Sequence, residues 1–115
     1  MRTVADAMRA PPVTVERTTS LQEASARMLD ARMHAAVVVD GGKVCAIVTA
    51  DALSAALARG DEPAGTAVEA VAEFDPPVVE AEEALADAHV RMRAADRTVV
   101  PVIAADGTAA GLLED

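Results

Sequence analysis

The sequence contains one series of motifs twice, and this repeat limits the folds that the chain can adopt. Matching residues follow one another in the same order at a spacing of 63 to 65 positions: Thr3 and Thr66, Pro12 and Pro77, Leu21 and Leu85, Met28 and Met92. At 115 residues the chain is long enough for one compact domain and too short for two independent ones. We therefore expect two pseudo-symmetric units that pack against one another.

Each unit is predicted to contain a short strand, a helix and a β-hairpin. Short apolar runs flank Asp40-Gly41-Gly42 in the first unit and Asp106-Gly107 in the second, which is typical of hairpin turns. The predicted strands are 13–15, 35–39, 44–48, 78–79, 98–103 and 110–113. Capping residues predict helices that begin after Thr3, after Ser20, at Thr49 or Ala50, after Thr66 and at Glu82, the last extending to Ala95.

These elements predict an α/β (α+β) fold in which two sheets pack face to face. The boundaries are residues 1–60 for the first repeat, 61–65 for a linker and 66–115 for the second repeat. The second repeat lacks the final helix that follows the first hairpin, so it is expected to be truncated at its C-terminus. Either the natural protein ends early, or the sequence is a piece of a longer one.

Charge and composition exclude some classes of function. Ten basic residues stand against nineteen acidic ones, for a net charge of −9, and no basic stripe with aromatic residues is present. A nucleic-acid partner is therefore not expected. No apolar run approaches the roughly 18 residues of a membrane span, and the first residues carry no signal-peptide pattern, so we expect a cytoplasmic protein that does not enter a membrane. The single cysteine, Cys45, is expected to be a small buried apolar residue.

Three features together resemble a CBS domain: Val4, Asp6 and Met8 in the opening, the hairpin, and the ending Ala46-Ile47-Val48-Thr49. With the duplicated order, the whole chain resembles a tandem CBS pair, also called a Bateman module. The resemblance implies two βαββα repeats whose sheets meet and leave two clefts. In this family the clefts commonly bind AMP, ATP or S-adenosylmethionine, and the modules commonly form flat homodimers through their helices.

The binding signature of the family is Gly-φ-φ-Thr/Ser-x-x-Asp, where φ is apolar, and it is incomplete in both repeats. In the first repeat Ala46 replaces the glycine, Thr49 fits, and the aspartate position is Ala52. Asp51 lies one residue early, which on a helix turns its side chain by roughly 100°. In the second repeat Gly111 fits, but Glu114 takes the hydroxyl position and would repel a phosphate.

The resemblance implies a set of ligand-binding candidates near the two hairpins. Each has a simpler alternative: His34 in a solvated loop, Thr49 as an ordinary helix N-cap, and Arg97 as an exposed arginine. No metal site is predicted, because His34, Cys45 and His89 lack ligand spacing. The candidates are Thr14, His34, Ala35, Ala36, Val37, Thr49, Asp51, Arg97, Thr98, Val99, Val100 and Pro101.

Two functional hypotheses follow. No catalytic arrangement of side chains stands out, so the first is a non-catalytic regulatory module that requires no cofactor and binds an adenosine compound. Few local cations and the negative net charge favour AMP, adenosine or S-adenosylmethionine over ATP. The second hypothesis is a structural homodimerisation module whose clefts have lost their ligand.

Overall fold

The structure is a computed structural model that describes residues 1–115, and it contains two separate β-sheets. In each sheet a short strand runs parallel to the first strand of a hairpin, as β1 does to β2 and β5 does to β6. The hairpins β2–β3 and β6–β7 are antiparallel. The first sheet has the order β1 (Thr14–Glu16), β2 (Ala35–Asp40), β3 (Lys43–Thr49) and β4 (Glu73–Phe74); the second has β5 (Val79–Glu80), β6 (Val99–Ile103) and β7 (Ala109–Glu114).

Four α-helices and one 3₁₀ turn accompany the sheets. The predicted cap at Ser20 is present, since its hydroxyl accepts the backbone N–H of Glu23 at 3.1 Å. At the first helix the side chain that accepts is Asp6 and not the predicted cap Thr3. The Asp6 carboxylate accepts both the backbone N–H (2.9 Å) and the hydroxyl of Thr3. The elements are α1 (Val4–Ala7), α2 (Leu21–Ala31), α3 (Ala50–Ala58), the 3₁₀ turn (Val68–Ala70) and α4 (Leu85–Ala94).

The apolar residues form three clusters because side chains alternate between the two faces of each sheet. One cluster lies between the first sheet and helices α2 and α3, and a second lies between the second sheet and helices α1 and α4. The third cluster joins the two sheets and contains the buried residues Ala35, Val37, Ile47 and Leu112. The predicted α/β architecture, with two pseudo-symmetric repeats packed sheet to sheet, is therefore confirmed.

The opening segment of each repeat packs on the other repeat. The N–H groups of Val4 and Ala5 donate to the carbonyls of Glu83 and Ala81, and Val4 is fully buried in the second core. In return, the N–H of Val68 donates to Thr19, and Val68 is fully buried in the first core. The boundaries 1–60, 61–65 and 66–115 therefore stay a prediction about where the sequence repeats. They do not coincide with the two cores, because each repeat places its first residues in the core of the other.

Two local predictions were wrong and one strand was missed, and this exchange explains all three. Residues 82–84 precede α4, because the carbonyl of Glu83 accepts an N–H from α1 and its carboxylate accepts the N–H of Glu80. Thr66 caps no helix, because its carbonyl accepts the N–H of Leu21 in an extended segment. Strand β4 was not predicted at all, and it forms because residues 73–74 add to the free edge of β3. No helix follows β7 within residues 1–115.

Candidate ligand-binding site at the sheet interface

The inner faces of the two sheets bring several candidate residues together. Residues paired across neighbouring strands point to the same face, so Thr49 shares a face with Ala35, and Thr14 shares it with Val37. Ala35 and Val37 belong to the cluster between the sheets, which fixes this face as the inner one. On the second sheet the same reasoning places Val99 and Pro101 on the inner face with Leu112.

Thr49 lies where the inner face ends and α3 begins. Its hydroxyl oxygen accepts the N–H of Ala52 at 3.1 Å, which makes it the N-cap of α3. The N–H of Ala50 is also used, since it donates to the carbonyl of His34 at 2.8 Å. The hydroxyl of Thr49 keeps one proton to donate, and Thr49 is half-buried. Capping and ligand contact are therefore compatible at this residue.

An ion pair borders Thr49 on its strand-edge side. Glu73 of β4 pairs with Ile47, so the Glu73 side chain points to the inner face, two residues before Thr49 along β3. Its carboxylate contacts the guanidinium of Arg97, which comes from the turn before β6. The Nε–H of Arg97 is buried without a hydrogen-bond partner. We call Thr49, Glu73 and Arg97 the Thr49 rim.

The second repeat carries a related cluster at the edge of its own sheet. Arg9 exchanges two hydrogen bonds with Leu112 at the outer edge of β7, and its side chain therefore shares the inner face with Glu114. The Arg9 guanidinium donates to the carbonyl of Arg32 at 2.9 Å and lies 3.6 Å from the carboxylate of Glu114. It also donates to the carbonyl of Ala31 at 3.4 Å. We call Arg9, Glu114 and the end of α2 the Arg9 rim.

A separate apolar groove runs along the outside between α2 and α3. Its volume is about 370 Å³. Leu29 and Leu57, which border it, are 77% and 43% exposed. The lining residues are Ser25, Met28, Leu29, Arg32, Met33, His34, Ala50, Leu53, Ser54 and Leu57.

Titratable groups outside the two rims hold structural roles. Cys45 is half-buried, not buried as expected, and this burial raises the pKa of its thiol. The hydrogen bond that Arg17 donates to the carboxylate of Asp40 raises the pKa of Arg17. Arg17 also contacts Glu69 and lies 5.1 Å from the centre of the Phe74 ring. No three side chains of His, Cys, Asp or Glu are grouped to hold a metal ion. None of the helices has the length and apolar character needed to cross a membrane.

Comparison with known proteins identifies the repeat. The family model for the CBS domain matches residues 4–59. The first repeat is a CBS domain. Comparison with curated proteins gives no significant match.

Solved structures extend this result to the whole chain, which has the fold of a tandem CBS pair. The CBS pair of protein MJ0100, in complex with 5′-methylthioadenosine and S-adenosyl-L-methionine, superposes with a TM-score of 0.87 at 21% identity, over 98% of this chain and 89% of that one. The CBS protein PAE2072 from Pyrobaculum aerophilum, complexed with AMP, gives 0.88 at 21% identity, over 98% and 87%. CBSX2 in complex with AMP gives 0.80 at 24% identity, over 97% and 89%.

The predicted site residues of the CBS pair separate into four groups. Thr14, Ala35, Val37, Thr49, Val99 and Pro101 share the inner faces, and Arg97 lies at the Thr49 rim. Ala36 and Val100 point the other way, into the two helix-facing cores. His34 borders the outer groove, while Asp51 and Thr98 are exposed. Their roles in binding stay predictions.

Sequence reasoning missed Glu73 and Arg9, the two rim residues on the outer strand edges. Both lie in the opening segments that the repeats exchange, so neither is close in sequence to the hairpin that it borders. The repeat spacing could have indicated both residues, because Arg9 and Glu73 are 64 positions apart and therefore occupy equivalent positions in the two repeats. A pair of opposite charges at equivalent positions was visible in the sequence.

Proposed function

We propose that this CBS pair is a non-catalytic regulatory module that binds an adenosine compound between its two repeats. The observation that carries the proposal is the position of Thr49, half-buried on the inner face at the start of α3, with a hydroxyl proton still available. AMP, adenosine and S-adenosylmethionine suit the site better than ATP, because the chain has a net charge of −9 and each rim pairs its arginine with a glutamate. The fold neighbours described with AMP, S-adenosyl-L-methionine and 5′-methylthioadenosine support the same ligand class.

The site has two halves with different chemistry. Val99, which is only partly buried on the inner face, would border a flat base, and the Thr49 rim would meet the polar part of the ligand. Ala35 and Val37 are already covered between the two sheets. Carboxylates such as Glu73 accept hydrogen bonds from vicinal ribose hydroxyls. We place the protein in the cytoplasm, with no nucleic acid and no membrane as partners, and with no cofactor required.

The first test is an ultraviolet spectrum of the purified protein. The chain has no Trp, no Tyr and a single Phe, so it absorbs very little at longer ultraviolet wavelengths. A nucleobase band that survives desalting and leaves with the small molecules on denaturation would identify a co-purified ligand by mass spectrometry. Calorimetry with adenosine, AMP and S-adenosylmethionine follows, on protein shown to be folded by circular dichroism. Absence of binding by all three would refute the proposal.

The second candidate function is homodimerisation through the helical faces, with or without a ligand. The observation that favours it is the apolar groove between α2 and α3, with Leu29 and Leu57 exposed beside it. Burial of such side chains contributes about 1.5–3 kcal/mol each. We expect sedimentation to give a dimer and Leu29→Glu to give a monomer with unchanged folding. Val90→Glu, which alters an exposed apolar residue on α4, is the matched control. A monomeric parent protein would refute this function.

A further inference from the structure

We propose that Glu73 makes the Thr49 rim select an adenosine compound without a phosphate group over its 5′-phosphorylated form. This inference rests on the proposed function and narrows its ligand class. Among the compounds considered, adenosine and S-adenosylmethionine would then bind in preference to AMP.

The cation at the Thr49 rim is already neutralised. The guanidinium of Arg97 contacts the carboxylate of Glu73, and both side chains are partly exposed, at 38% and 43%. A phosphate at the rim would have to displace the carboxylate from Arg97 and then remain beside a like charge. Both consequences weaken the binding of an anion.

The backbone donors at the start of α3 are mostly occupied. A helix N-terminus binds anions through free N–H groups, but two of the first three here already have partners. Ala50 donates to the carbonyl of His34, and Ala52 donates to the hydroxyl of Thr49. The remaining N–H belongs to Asp51, whose own carboxylate adds negative charge in the first turn.

The Thr49 rim offers hydrogen-bond acceptors to a ligand. The carboxylate of Glu73 can accept from ribose hydroxyls or from an amino group, and it attracts a cationic sulfonium or ammonium group. On the donor side, Thr49 contributes a single hydroxyl proton and Arg97 a buried Nε–H that has no partner. This inventory suits a ligand that mainly donates hydrogen bonds.

The test compares adenosine with AMP, which differ only in the phosphate, by calorimetry on the full chain. We expect the parent protein to bind adenosine roughly threefold to tenfold more tightly than AMP, since partly exposed charges interact modestly. In Glu73→Gln the preference should disappear, because the variant frees Arg97 and keeps the size of the side chain. Glu69→Gln is the control: it removes the same charge from an ion pair with Arg17, away from the rim, and should keep the preference.

Salt gives a second readout that needs no variant. Because the selection is electrostatic, the ratio of the two affinities in the parent protein should shrink as ionic strength rises. If AMP binds as tightly as adenosine, if Glu73→Gln keeps the preference, or if salt leaves the ratio unchanged, the inference is wrong while ligand binding stands. If adenosine, AMP and S-adenosylmethionine all fail to bind the folded protein, the proposed function and this inference both fail.

Discussion

The Thr49 rim and the Arg9 rim occupy equivalent places in the two repeats, but their charges are exchanged. At the strand edge the first sheet has Glu73 where the second has Arg9. At the end of the hairpin the first repeat has Thr49 where the second has Glu114. Each rim therefore contains one arginine and one glutamate, supplied from different positions.

The surroundings of the two arginines differ more than their charges do. Arg9 donates to two carbonyls at the end of α2, where the helix dipole favours a cation, and its contact with Glu114 is long at 3.6 Å. Arg97 has a carboxylate as its partner and no carbonyl. Arg9 therefore holds two parts of the fold together, whereas Arg97 is held by a carboxylate that borders the proposed site.

Truncation of the shared apolar floor should have the largest effect and should be symmetric. Ile47 and Leu112 are equivalent, lie between the sheets, and are 4% and 1% exposed. Ile47→Ala and Leu112→Ala should each lower the free energy of unfolding by about 2–5 kcal/mol, because each removes buried methyl groups and leaves a cavity. Urea denaturation measures both. Val90→Ala, at an exposed position outside the groove, is the control. A loss below about 1 kcal/mol for only one of the pair would break the symmetry.

The second repeat needs a glycine at a hairpin position where the first repeat has an alanine. A Cβ at Gly111 would lie 2.7 Å from the sulfur of Met8 and 2.8 Å from the carbonyl oxygen of Arg9. At the equivalent position Ala46 is accommodated, fully buried. Gly111→Ala should therefore lower the stability by about 1–3 kcal/mol, since the contact includes backbone that cannot easily move.

The reverse substitution at the equivalent position is the control. Ala46→Gly should cost about 1 kcal/mol, through lost burial and added chain entropy. Both variants are measured by urea denaturation. A neutral Gly111→Ala variant would mean that the opening segment shifts freely against β7, and the contrast between the repeats would then be weaker than the distances indicate.

Removal of the two arginines should affect stability to different extents at the Arg9 rim and at the Thr49 rim. Arg9→Ala should lower the stability by about 1 kcal/mol, because the end of α2 loses two charge-assisted hydrogen bonds. Arg97→Ala should cost less than about 0.5 kcal/mol, the usual size for a partly exposed ion pair. Thermal and urea unfolding of the two variants provide the measurement, with Arg9→Lys added to test whether charge alone is enough. Equal losses would contradict the distinction drawn here.

The fold was predictable because it depends on patterns that are local or repeated. Alternating apolar runs and turn residues gave both hairpins, and the constant spacing gave the pairing of the two units. The site was less predictable, because Glu73 and Arg9 reach their rims only through the exchange of opening segments. Likewise Ala35 and Ala36 are adjacent residues of the same type, but the alternation of side chains along β2 directs Ala36 to the helices and Ala35 to the sheet interface.

The smallest predicted effect concerns the turn of the second hairpin, which lies at the end of the sheet interface away from the rims. Asp106 accepts the hydroxyl (2.6 Å) and the N–H (3.0 Å) of Thr108, and these bonds lower the pKa of its carboxyl, with a lesser contribution from Lys43. A pKa lower in the folded state than in the unfolded state means that the unfolded chain binds the proton more readily. The contribution to stability is therefore present above the ordinary value of 3.8 and is lost as the pH falls below it.

Asp6, which accepts from Thr3 in the opening segment, has its pKa lowered in the same direction. Asp106→Asn should therefore reduce, but not abolish, the loss of stability between about pH 5 and about pH 2, and the double variant with Asp6→Asn should reduce it further. Urea midpoints measured across that range test this, with neutral pH as the reference for each variant. Because both carboxyls are solvent-exposed, the effect should be small, and parallel curves for parent and variants would show that these turns do not drive the acid response.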